Sequence, residues 1–306
     1  MHASLIAVAL AASAATYTWP DPQQNGLVLV NANQDMAVYL RNHPDWFRAG
    51  ELVLDLSVRN QNDAAAAARE RDDIVAQLAG KGLTAGTYTS GTTVEPLAAI
   101  QLWPFDKAPV EWMPPHFAST GSWPGDAARK MVDVRDHRAR RALQEGMRRL
   151  WRQTGAPIRF VDNAAAHSST GGTLPWQAYC DNMREIRLMA ESMGSRVAFN
   201  VAMHPAMLSD ADMAQLIAAV GAGNGILMED PWGAATRESA DLSARAQTRY
   251  RQLLNAGIAI VALTGNVPPA ALLAWVASWR RRNDRLYIGW PFFKDPGKRP
   301  WEETTK

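Results

Sequence analysis

The sequence predicts an α/β protein built as one (β/α)8 barrel, and three observations carry that expectation. Eight short apolar runs alternate with helix-forming stretches. The runs are rich in Val, Ile and Leu on both faces, as strands buried in a parallel sheet are. No glycine fingerprint follows the first run, and 306 residues suit a barrel of about 250 with insertions. An open doubly wound sheet is the alternative.

The first strand is read over Leu27–Asn31 and the second over Glu51–Leu56. The Ala-rich stretch 63–79 reads as a helix and stops at Gly80-Lys81-Gly82, a C-terminal cap signal. A third strand covers Leu83–Tyr88. From Ser90 to Asp133 no periodicity is evident, and Trp103, Trp112 and Trp123 lie among many prolines. A connection this long is often functional. After strand three of a barrel, it would lie over the C-terminal face, where active sites of this fold sit.

Ala142, Leu143, Met147, Leu150 and Trp151 then recur at three- and four-residue steps and form one buried helical stripe. Strands four to eight are read over Ile158–Asp162, Arg196–Val201, Gly225–Glu229, Ile258–Thr264 and Leu286–Trp290. Between them Trp176–Asp181 is helical, Ser209-Asp-Ala-Asp212 caps a helix over 213–220, and Val267-Pro-Pro269 opens the last long helix. No repeat and no Pro/Gly/Ser linker divides the chain, so residues 16–306 read as a single domain.

Composition narrows the function classes. The chain is 47% hydrophobic and 20% charged with net charge +2, so no strong field points to nucleic acid or an anionic membrane. Cys180 is the one cysteine, which rules out an internal disulfide or a Cys-based zinc site. Its helical setting points to a buried structural thiol. Arg280-Arg-Arg282 follows a helix end, where the helix dipole favours cations.

Residues 1–15 read as a secretory signal: Ser4–Ala15 is apolar with small residues, and Ala12-Ser-Ala14 resembles a signal-peptidase site. That implies a secreted or periplasmic protein. Met1-His-Ala lacks Lys or Arg, so a mis-assigned start and a cytoplasmic protein form the alternative. The run is shorter than the ~20 residues a membrane span needs, and no other segment is long and apolar enough. The oligomeric state is not legible.

Two runs end in acid: Pro157-Ile-Arg-Phe-Val-Asp162-Asn163 and Gly225-Ile-Leu-Met-Glu229-Asp230-Pro-Trp232. A strand that stops on a carboxylate places it at the rim of a sheet. Two such strands in one barrel supply the pair of carboxyls that glycosidic cleavage requires, one to attack or activate water and one to protonate the leaving oxygen.

Asp162 shares its strand face with Ile158 and Phe160, and the glycine-rich loop His167–Gly172 leaves room beside it. Glu229 shares a face with Gly225 and Leu227, and Asp230 is its rival. Hydroxyl-rich ligands need many donors and acceptors. Asp55, Tyr88, Asn163, Asn200 and Asp230 are candidate substrate-binding residues at strand ends, with Asn31, Asn33, His204, Thr264 and Asn266 behind them. Sugar rings stack on aromatic faces, which adds Trp232 and Trp290. Twelve tryptophans is a high number, and Trp151, Trp275 and Trp279 fall in helices as core.

The motifs resemble those of TIM-barrel glycosidases related to endo-α-1,4-polygalactosaminidases. Phe160-Val-Asp162-Asn163 resembles the F-x-D-N end of their strand four. Lys130-Met-Val-Asp133-Val-Arg-Asp136-His-Arg-Ala-Arg resembles the lead-in to their helix three, with His137 in place of the usual Pro. Ile226-Leu-Met-Glu229-Asp230 is similar to their strand-six glutamate. The resemblance spans about the middle half of the chain and implies Asp162 and Glu229 as the catalytic pair.

The expected activity is therefore hydrolysis of glycosidic bonds in a polysaccharide or exopolysaccharide, with no cofactor and no metal. Two alternatives stand beside it. One is a non-catalytic carbohydrate-binding barrel. The other is a metal-dependent lyase or hydrolase holding Mg²⁺ or Mn²⁺ through Asp55, Asp162, Glu229 and Asp230. The G-x-S-x-G elbow, the P-loop and HExxH spacing are absent from the sequence.

Overall fold

The computed structural model describes residues 17–30, 42, 44–54, 64–90, 92–94, 119–123, 126–165, 174–201, 204–229, 240–263 and 269–291. The apolar segment 1–15 lies outside them. In chain order the strands are β1 (Leu27–Val30), β2 (Leu52–Val53), β3 (Thr84–Ser90), β4 (Thr93–Val94), β5 (Ser119–Trp123), β6 (Asp126–Val132), β7 (Ile158–Ala165), β8 (Arg196–Val201), β9 (Gly225–Met228), β10 (Ala259–Leu263) and β11 (Leu286–Pro291). The helices are α1 (Ala64–Gly80), α2 (His137–Thr154), α3 (Trp176–Ser192), α4 (Asp210–Val220), α5 (Ala240–Asn255) and α6 (Pro269–Trp279).

β1, β2, β3 and β7 to β11 form a closed parallel barrel, each strand hydrogen-bonded to its neighbours in sequence, with β11 returning to β1. Each of the eight predicted apolar runs carries one barrel strand; among the described residues a 3-10 turn, Pro44–Trp46, lies between β1 and β2, and an α-helix lies in each later connection between barrel strands. This is the (β/α)8 fold.

Alternation along each strand sorts the side chains into two layers. Val28, Leu52, Leu54, Ile158, Phe160, Ala198, Leu227, Val261 and Tyr287 fill the barrel interior. Leu27, Leu29, Val53, Val161, Val197, Phe199, Ile226, Ile260 and Ile288 face the helices. The strands are apolar on both faces because each face is buried. In α2 the stripe Leu143, Met147 and Trp151 is fully buried, as its spacing predicts. Asp136 caps that helix by accepting from the backbone N–H of Arg138 and Ala139, and Gly155 ends it at φ 55°.

The segment from Ser90 to Asp133 differs from its reading as a loop without regular structure. It contains a three-stranded antiparallel sheet in the order β4-β6-β5. The strands carry Gly121, Ser residues and charges, and β5 is irregular against β6, so no period of two is visible in the sequence. Trp103 and Trp112 lie outside the described residues. The sheet joins the barrel's C-terminal side: the Val132 N–H donates to the Thr92 carbonyl, and the Thr92 hydroxyl donates to the Asn163 carbonyl at 2.6 Å.

The opposite end of the barrel is closed by the segment before β1. Trp19 enters the interior, donates its indole N–H to the Gly223 carbonyl at 3.0 Å and lies 5.4 Å from the ring of Tyr287. The Tyr287 hydroxyl donates to the Pro20 carbonyl. Gly225 faces the indole, and a Cβ there would come within 2.5 Å of it. Arg280, read from sequence as a helix-end cation, donates to the Pro22 and Leu286 carbonyls and so ties this closing segment to the last strand. Among the described residues no helix is long and apolar enough to cross a membrane.

Candidate functional site

The site begins with a break in a strand. In β7 the pairing with β8 runs in register from Ile158 to Val161, then shifts before resuming at Ala165. Asn163 occupies the bulge at φ 49°, a left-handed conformation that Asn tolerates far better than β-branched residues. The bulge ends the alternation. Ile158 and Phe160 point inward, whereas Ala164 and Ala165 both join the outer layer. Asp162, on the inward side immediately before the bulge, is left at the C-terminal rim with its carboxylate in the barrel mouth.

Four donors converge on that carboxylate. Oδ1 accepts from the Asn200 amide at 2.7 Å and from the Asn163 backbone N–H at 2.9 Å. Oδ2 accepts from the Tyr88 hydroxyl at 2.9 Å and from the Asn163 amide at 3.1 Å. A carboxylate has about four lone-pair positions, and these four donors fill them. Tyr88 reaches up from β3, its ring 5.9 Å from that of Phe160.

Asn200 stands on β8, between the strands of the two acids, and is 5% exposed. The same nitrogen that donates to Asp162 donates to Glu229 Oε1 at 2.8 Å. Glu229 follows β9 and is exposed to the mouth. Its inward direction follows from parity: Leu227 lies in the interior and Gly225 faces Trp19. Two hydrogens on one planar nitrogen diverge, so the carboxylate oxygens they reach lie roughly 5 Å apart.

Asp162, Asn163, Tyr88, Asn200 and Glu229 are thus brought together, while Asp55, Asp230 and Trp232 lie outside the described residues. The expectations for the other candidates divide. Tyr88, Asn163 and Asn200, expected to bind substrate, are hydrogen-bonded to the acids themselves. Trp290, expected to stack on substrate, is corrected. It shares parity with Leu286 and Ile288, packs in the outer layer among the helices and is 6% exposed, whereas Tyr287 takes the inward position. Trp176 starts α3, donates its indole N–H to the Asp212 carbonyl and packs against the same layer. His204 pairs with the Tyr250 hydroxyl at 2.6 Å, outside the barrel mouth. Asn31, Asn33, Thr264 and Asn266 lie outside the described residues.

The Asp133–Asp136 motif has a structural role. Asp133 binds the backbone N–H and the guanidinium of Arg135, which holds its carboxyl below the usual carboxylate range, and Asp136 caps α2. Among the described residues, no group of three His, Cys, Asp or Glu is arranged to hold a metal ion.

No family model matches the chain, and no curated protein matches it. Solved structures do. A maltogenic α-amylase, AmyB from Thermotoga neapolitana, is similar at 9% identity with a TM-score of 0.50, covering 87% of this chain and 67% of its own. Ega3 of Aspergillus fumigatus, solved with galactosamine, is similar at 12% identity with a TM-score of 0.44, covering 78% and 88%. An L-ribulose 3-epimerase is similar at 11% identity with a TM-score of 0.47, covering 92% and 86%. At 9% identity the amylase likeness speaks to the fold alone, and a barrel of this kind hosts many chemistries.

The sequence singled out both acids, but it did not reveal that one amide links them. The available signal was Asn200 at the end of strand five, the strand between the two acid-ended strands. Thr92, which fixes the bulge through the Asn163 carbonyl, sits in a segment with no readable pattern.

Proposed function

We propose that the protein is a glycoside hydrolase that cleaves a polysaccharide with Asp162 as nucleophile and Glu229 as acid/base, without a cofactor. The observation that carries this reading is the Asn200 amide within hydrogen-bond distance of both carboxylates at the barrel mouth. Two carboxyls about 5–5.5 Å apart are the arrangement of retaining glycosidases, whereas inverting enzymes need about 6.5–9.5 Å to seat a water. The motif resemblance assigns the same two residues.

Asp162 is ringed by fixed donors and suits the group that must be a carboxylate at the moment of attack. Glu229 is exposed and suits the group that exchanges a proton with the leaving oxygen and then with water. Attack requires one donor on Asp162 to yield, and the Asn163 amide makes the longest of the four bonds. A secretory signal over residues 1–15 fits an extracellular polysaccharide as substrate.

Asp162→Asn and Glu229→Gln should each lower kcat/KM on a cleaved glycan about 10³-fold or more, with the thermal transition moved by only a few degrees. Proton NMR of the first-formed product should show the anomeric configuration of the substrate retained. Activity surviving in both variants would overturn the assignment. Glycan binding by the wild type without reducing-end release would identify a binding barrel instead.

A further inference from the structure

We propose that Asn200 is a positioning residue that fixes which oxygen of Glu229 carries the catalytic proton; this rests on the two-carboxylate reading above. A carboxamide nitrogen has two hydrogens and accepts none. Asn200 Nδ2 uses one on Asp162 Oδ1 at 2.7 Å and the other on Glu229 Oε1 at 2.8 Å. A protonated carboxyl accepts best at its carbonyl oxygen, so an oxygen that takes an N–H disfavours the O–H there. A proton on Glu229 is therefore favoured on its other oxygen, Oε2.

The amide also keeps the acids from sharing a proton. Two carboxyls in direct contact hold one proton between them, as a dyad does. Here an N–H occupies the facing oxygen on each side, so the two carboxyls do not share one proton. The geometry is set by the barrel rather than by substrate. Asn200 lies within β8, which is paired to β7 on one side and β9 on the other, and its side chain is almost fully enclosed.

The step balances. An Asp162 oxygen bonds to the anomeric carbon as the glycosidic C–O bond breaks. The bonding pair passes to the leaving oxygen, which takes the proton from Glu229 Oε2 and leaves Glu229 as a carboxylate. Water then gives a proton to Glu229, and its oxygen displaces Asp162.

The test compares the wild type with Asn200→Ala on two substrates of the same sugar. One is the natural glycan, whose leaving group needs protonation, and the other a dinitrophenyl glycoside, whose leaving group does not. Loss of proton positioning should lower kcat on the glycan about 10²-fold or more, lower it less than about tenfold on the dinitrophenyl glycoside, and leave KM within about threefold. In a Glu229→Gln background, Asn200→Ala should cost no more than about threefold further. Equal losses on both substrates would overturn the proposal.

If the wild type cleaves no glycoside, the functional reading fails, and the amide bridge is then read without substrate. Urea unfolding of Asn200→Ala, Asp162→Asn and the double variant should give unfolding constants that depart from additivity by about fivefold or more, and additive effects would overturn the bridge.

Discussion

Cys180 shows how far a residue's surroundings can suppress its chemistry. It has no exposed surface within α3, and burial pushes its thiol up to about 12. The thiolate is the reactive form, so the native protein should not react with a disulfide reagent at pH 8 and should titrate one thiol once unfolded. Burial also raises Tyr17, Tyr179 and Tyr287 above the usual phenol range. For all four groups the unfolded chain releases its proton first. The stability these four groups contribute is thus fully present below about pH 9, the ordinary thiol range, and falls as pH climbs toward the folded values. A lower urea midpoint at pH 10.5 than at pH 8 is the expected result.

At this scale the sequence was legible wherever strand parity decides direction. Asp162 shares a face with Ile158 and Phe160, and Glu229 with Gly225 and Leu227. The same parity, applied to Leu286, Ile288 and Trp290, would have turned Trp290 outward. The link through Asn200 was hidden because it depends on three strands lying side by side.

At the scale of an element, the bulge in β7 decides where the nucleophile candidate stands. Asn163 holds the left-handed conformation, donates twice to Asp162 and is fixed through its carbonyl by Thr92. Glycine adopts that backbone freely but lacks the amide, whereas a β-branched residue is strained there by roughly 1–2 kcal/mol. Asn163→Gly should therefore keep its melting temperature within a few degrees and lose activity modestly. Asn163→Val should melt lower and lose at least about tenfold in kcat. Equal behaviour of the two variants would remove the backbone argument. The bulge was not readable in advance, because Asp162-Asn-Ala-Ala165 looks like an ordinary strand end. The small sheet was hidden for a related reason: its strands are short, polar and irregular, and only the register of β4, β5 and β6 gives them a period.

At the scale of the whole molecule, the barrel was the most legible property, since eight doubly apolar runs separated by helices leave few other arrangements. Its closure was not legible. Tyr17-Thr-Trp19-Pro20 carries no pattern of its own, and the space it fills exists only once Gly225 and Tyr287 face each other across the interior. Four residue steps separate Gly225, which opens β9, from Glu229, which follows it, about 13 Å of extended chain, so the plug and the acids occupy opposite ends. Trp19→Ala should cost about 3–5 kcal/mol of stability while leaving kcat of the remaining folded protein within about twofold, measured by urea unfolding beside glycan hydrolysis.

The partners of that plug also set an order of events for the growing chain. Trp19 meets Gly223 across 204 residues, and Pro20 meets Tyr287 across 267. The contacts of the indole with Gly223, Gly225 and Tyr287 are therefore made late in synthesis, after residues 17–20 have left the ribosome. Contacts this distant in sequence slow folding. A chaperone that binds exposed aromatic segments would find its target at residues 17–20 in a chain that still lacks β11.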